Sequence, residues 1–146
     1  MARDVVEALS DSDADLALAV RRTVGRGPGL TPAGDDVLVG IFSVLASGSA
    51  ASACAQAASR LTKALMPVIH TTSDVSRHLL RQAGRSLPGR ALHDLGRAVI
   101  EGASHEVLTD ALDRVLETGC TSGADACLGL AAACDFSFHT TESLAA

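Results

Sequence analysis

Apolar positions along the chain return at intervals of three and four residues, the spacing that gathers side chains on one face of an α-helix. Leu16, Ala19, Val20 and Val24 form the first such set, behind the acids Asp13 and Asp15 and ahead of Gly25, which predicts a helix over 13–24. A short turn of helix over Val5 to Leu9 precedes it. A second helix begins near Gly34 or Asp35 and carries Val37, Leu38, Ile41, Val44 and Leu45, until Ser47-Gly48-Ser49 stops it. Alanine-rich Ala50 to Leu65 predicts a third, closed by Pro67. A fourth carries Val75, Leu79, Leu80 and Ala83, and a fifth Leu92, Leu95 and Val99 after Pro88-Gly89. The sixth holds Val107, Leu108, Ala111, Leu112, Val115 and Leu116, with Asp110 and Arg114 one turn apart on its polar side. A final helix runs from Ser122 or Gly123 to Cys134.

No segment alternates with period two, and no heptad persists, so the expected fold is all-α: a single array of about seven helices. The expected domain spans residues 1–135, with 136–146 as a C-terminal tail. A chain of 146 residues suits one such domain.

Composition narrows the function. Apolar residues make up 47%, yet the only aromatics are Phe42, Phe136 and Phe138, so Ala, Leu and Val must fill the core. A net charge of −5 and the lack of aromatic platforms argue against a nucleic-acid partner. No secretory leader is evident, and the longest apolar run, Val37 to Ala46, falls far short of a bilayer span, so a soluble, cytoplasmic protein without a membrane partner is expected. Cys54, Cys120, Cys127 and Cys134 contain no C-x-x-C pair and read as small hydrophobes in a reducing compartment, not as zinc ligands.

Chemistry concentrates at Gly25 to Asp36, where four glycines and two prolines fall within twelve positions. Glycine lets a ligand approach the main chain, and a loop feeding a helix can present free amides and the positive end of the helix dipole to an anion. No Lys follows the last glycine, so this is not a Walker loop. Gly27, Gly29, Thr31 and Gly34 are the expected anion cradle, with Arg26 beside them. Asp35 and Asp36 sit in the helix's first turn. One of them can cap the helix while the other is solvated, or one can turn inward toward a cation or a substrate amide. Two other helix starts combine similar residues: His70-Thr71-Thr72-Ser73-Asp74, and Gly119-Cys120-Thr121-Ser122-Gly123-Ala124-Asp125. Each can be an ordinary Ser/Thr cap. Should the three starts converge, Thr71, Thr72 and Ser122 would add hydroxyl donors, with Gly123 and Asp125 beside them. His93 is a candidate acid or base, although Asp94 next to it diverges by about 100° around the helix and is poorly placed to orient it.

Taken in order, Gly25-Arg26-Gly27-Pro28-Gly29-Leu30-Thr31-Pro32-Ala33-Gly34-Asp35-Asp36, His70 to Ser76, Leu92-His93-Asp94-Leu95 and Gly119 to Ala126 resemble the AllH family, over residues 20 to 133. The first motif is highly specific; the others count through their order. The resemblance implies a carbamoyltransferase subunit working with FdrA-like and AllG-like subunits in anaerobic allantoin (purine) breakdown, where oxalurate and phosphate give oxamate and carbamoyl phosphate. It implies a small anionic carbamoyl or carboxylate ligand at Gly27 to Asp36, and carries over no catalytic residue. From the residues themselves Asp36, His93 and Asp125 are the candidates for catalysis, and no cofactor is expected, with magnesium as the alternative. The family's familiar proteins have a further N-terminal half, so the likeness is to their helical C-terminal portion; a complementary subunit, a homo-oligomer or a simplified relative would make up the difference. Cys120 stands where the family's histidine is expected. Two other readings stand beside this one: a magnesium-dependent helical hydrolase resembling ADP-ribosyl hydrolases, with Asp35, Asp36 and Asp125 as metal ligands, and a non-catalytic scaffold subunit.

Overall fold

The computed structural model describes residues 1–47 and 52–144, with side chains described except at positions 52, 135 and 137–144. Among the described residues there are eight α-helices and no strand: α1 (Ala2–Ala8), α2 (Asp13–Thr23), α3 (Ala33–Ser47), α4 (Ser52–Leu65), α5 (Asp74–Ala83), α6 (Arg90–Ile100), α7 (His105–Leu116) and α8 (Ser122–Leu144). A single 3₁₀ turn, Ile69–Thr71, leads into α5.

The all-α expectation holds, with two corrections. Eight helices replace about seven, because the turn at the N-terminus is a full helix whose Val5, Val6 and Ala8 are buried. The last helix does not stop at Cys134 but continues to Leu144, as the stretch after Gly129 contains no glycine or proline to break it. The expected break at Ser47-Gly48-Ser49 and the start of the third helix at Ala50 fall partly on positions outside the described residues.

The array is organised around α3. An ordinary surface helix has one polar face, but every residue of α3 from Gly34 to Leu45 is buried, the signature of a helix enclosed on all sides. It packs against α1, α2, α4, α5, α6 and α8, most extensively α8. That contact depends on small residues. A Cβ on Gly40 would lie 1.9 Å from the Ala126 carbonyl oxygen, and one on Gly129 would lie 2.0 Å from that of Val37, so the two backbones meet without side chains between them. Phe42, Leu38, Ile41 and Leu45 then fill the space around α3 together with Leu16, Leu61, Leu65 and Leu80, each at most 1% exposed. Full burial of side chains of this size contributes about 1.5–3 kcal/mol apiece.

Ser12, Ser73 and Ser104 cap α2, α5 and α7, each accepting a hydrogen bond from a backbone N–H in the first turn. Gly89 caps α6 with no side chain at all. Among the described residues, no helix is long and apolar enough to cross a membrane.

Candidate functional site

The glycine-rich loop ends where α3 begins, and its hydrogen bonds show what holds it. Gly34 N–H donates to the Arg26 carbonyl at 2.8 Å, and the N–H groups of Asp35 and Asp36 donate to the Pro32 carbonyl at 2.8 and 3.2 Å. These first-turn amides are therefore occupied by the loop itself. Gly34 has a packing reason to be glycine, since a Cβ there would lie 2.0 Å from the Thr23 carbonyl oxygen at the end of α2.

Asp35 and Asp36, adjacent and both buried, do different things. Asp35 is 1% exposed. One of its carboxylate oxygens accepts from Gly25 N–H at 2.8 Å, and the other accepts from the Thr72 hydroxyl. It thus ties the loop's start and the segment before α5 to the first turn of α3. Loop and α5 are joined again where the hydroxyls of Ser73 and Ser76 donate to the Leu30 carbonyl.

Asp36 is 6% exposed, and its Oδ2 is buried without a hydrogen-bond partner. Burial pushes its carboxyl up to about 6, and the neighbouring charges of Asp125 and Asp35 add to that rise. The hydroxyls of Ser122 and Thr31 stand close enough to pull the other way, but they are also bonded to each other at 2.8 Å across the gap between loop and α8. Ser122 reaches this position because Gly123 lets α8 press on α7: a Cβ there would meet the Val115 carbonyl oxygen at 2.1 Å.

Thr31, Asp36, Ser122 and Gly123 line a cavity of about 510 Å³. Val39, Leu79, Leu92, Val115 and Ala126 supply apolar wall, and Pro88, Gly89, Arg90 and Ala91 bring the start of α6 to it. Of the other residues singled out from sequence, Gly27, Gly29, Gly34, Asp35, Thr71, Thr72 and Asp125 do not line it. Thr71 turns back onto the Val68 carbonyl. Asp125 is half-buried one turn into α8, near enough for its charge to act on Asp36. His93 lies in a neighbouring cavity with Ser86, Leu87 and Asp94; its Nδ1 is buried without a partner, while Asp94 pairs with Arg90 at 3.7 Å. Among the described residues, no three His, Cys, Asp or Glu side chains are grouped to hold a metal ion, the Asp35, Asp36 and Asp125 trio included. Of the cysteines, Cys54 is buried, Cys127 and Cys134 are half-buried, and Cys120 is exposed just ahead of α8.

The start of α6 was not a sequence candidate. Pro88-Gly89 reads as a plain turn, and nothing in its local pattern signals that it shares a cavity with Asp36, more than fifty positions earlier. Only the packing of α6 on α3 brings the two together.

The fold and the cavity define a class: an all-helical domain with a buried, partly unpartnered carboxyl and a hydroxyl pair at one cavity. Sequence comparison makes this specific. The family profile described as oxamate carbamoyltransferase subunit AllH matches residues 23–134, and the chain belongs to that family. No curated protein and no solved structure matches it.

Proposed function

We propose that this chain acts as an AllH-like subunit or domain of a carbamoyltransferase assembly, and that the cavity beside Asp36 binds a small anionic carbamoyl compound of the oxalurate, oxamate or carbamoyl phosphate type. Membership of a family described as an enzyme subunit supports the first part, and with it the need for partner subunits. Those partners would be FdrA-like and AllG-like subunits or further copies of the chain. The observation that carries the second part is Asp36: a buried carboxyl on a cavity wall, with Oδ2 left without a hydrogen-bond partner.

A carbamoyl group presents an NH₂ donor and a carbonyl acceptor. An ionised Asp36 accepts from the NH₂, and the Thr31 and Ser122 hydroxyls can turn to donate to the carbonyl. Because Asp36 changes charge near pH 6, it can also give or take a proton close to neutrality, as carbamoyl transfer between two acceptors requires. Asp35, Gly34 and Thr72 act one step back by holding the loop that carries Thr31. Calorimetric titration with oxamate tests the reading. Asp36→Ala should weaken binding by about tenfold or more, the loss expected for a hydrogen bond to a charged group, and unchanged affinity contradicts it.

A further inference from the structure

Resting on that carbamoyl reading, a second end of the ligand can be placed. Helix α6 is eleven residues long, and its cap, Gly89, has a φ of 95°, a backbone conformation that favours glycine. With no side chain, Gly89 leaves the N–H groups of Arg90, Ala91 and Leu92 without a partner among the described residues; the first bonded amide is that of His93, on the Gly89 carbonyl at 2.9 Å. The first turn of α6 holds no acid, as is also true of α4, whereas those of α2, α3, α5, α7 and α8 each do. Open amides and an uncompensated dipole mark a place for negative charge.

Two facts connect this helix start to a ligand. It borders the same cavity as Asp36, which is 6% exposed with Oδ2 unpartnered. Arg90 is also the only cation among the residues lining that cavity, and its 3.7 Å pairing with Asp94 is a loose surface contact from which the guanidinium can swing.

The geometry points to a two-ended site: the start of α6, through the amides of Arg90, Ala91 and Leu92 and the Arg90 side chain, binds the carboxylate or phosphate of a small compound whose amide end rests on Asp36. The ligand class is a bifunctional molecule with one acid group and one primary amide. The acid is placed at α6 because its first-turn amides border the cavity and have no acceptor among the described residues, whereas those of Gly34, Asp35 and Asp36 at the start of α3 are spent on Arg26 and Pro32.

The test compares oxamate, with one acid and one amide, against acetamide, an amide alone, and oxalate, two acids, by amide NMR titration of the whole chain at pH 7. Oxamate should shift the N–H resonances of Arg90, Ala91 and Leu92 together with those around Asp36; acetamide should shift only the latter, and oxalate only the former. Ala91→Asp puts a negative charge at the proposed acid subsite and suits a helix first turn, so the fold is kept. It should weaken oxamate by about tenfold or more and leave acetamide unchanged, and Arg90→Ala should weaken oxamate severalfold. Oxamate binding that moves the Asp36 region but not residues 90–92, or that is indifferent to Ala91→Asp, overturns the placement of the acid end and leaves the carbamoyl reading standing. If neither oxamate nor acetamide perturbs the surroundings of Asp36, the carbamoyl reading fails and this inference fails with it.

Discussion

The starts of α3 and α6 border one cavity and are built in opposite ways. At α3 the glycine-rich loop closes on itself: the amides of Gly34, Asp35 and Asp36 are bonded, Asp35 fastens the loop to Gly25 and Thr72, and Gly34 lets the helix press against Thr23. At α6 the cap has no side chain, three amides have no partner among the described residues, and no acid occupies the first turn. A dense run of glycines therefore signals close packing here as much as ligand contact, while an inconspicuous Pro-Gly pair ahead of a helix leaves the more open anion position. Between them, Asp36 reaches the cavity from α3 with its Oδ2 unpartnered.

The largest expected effect breaks the closed side. Gly34→Ala drives a methyl group into the Thr23 carbonyl, and should cost more than about 4 kcal/mol in urea unfolding, or prevent folding, because both contacting atoms belong to packed helices. A cost under about 1 kcal/mol would mean that α2 and α3 do not meet this closely. Next comes Asp35→Ala, which strands a buried N–H and a buried hydroxyl and should cost about 3 kcal/mol, with Thr72→Val losing about half as much through one of the same two bonds. If Asp35→Ala instead weakened oxamate binding without loss of stability, Asp35 and not Asp36 would be the ligand contact.

Asp36→Asn should have the smallest effect on stability and the opposite sign. The carboxyl binds its proton more tightly in the folded chain, near pH 6, than in the unfolded one, near 3.8. The folded state therefore carries the extra proton between those values, and stability falls as pH rises through that window. Above pH 6 the full cost of a buried, poorly partnered charge remains. Asparagine removes it, for a gain of about 1–2 kcal/mol at pH 7, after discounting for partial solvent screening, and no gain below pH 4. Equal stability of the two proteins at pH 7 and pH 4 would contradict a strained Asp36.

Much of the fold was legible because helical periodicity is a local property: Leu16, Ala19 and Val20 on α2, or Leu92 and Leu95 on α6, show their buried faces by spacing alone. Helix α3 shows its central place by carrying no charged residue on any face from Val37 to Leu45. The ends were less legible, since α1 is short and α8 passes Cys134 on residues with neither a strong pattern nor a breaker. The site was legible in part. Hydroxyls and acids at helix starts pointed to Thr31, Asp36 and Ser122, but two consecutive aspartates look alike in sequence, and only the approach of Gly25 and Thr72 to the start of α3 gives Asp35 two partners while Asp36 Oδ2 is left without one. The start of α6 was illegible because what matters there is an absence: no capping side chain, no acid, and a cavity formed by residues distant along the chain.

The most direct test of the account is the titration of the Asp36 carboxyl carbon by NMR, with and without oxamate. A midpoint near pH 6 that moves when oxamate is added is the predicted result. A midpoint at the ordinary carboxylate value of 3.8, unmoved by saturating oxamate, would contradict both the burial of the open oxygen and its place in a ligand site.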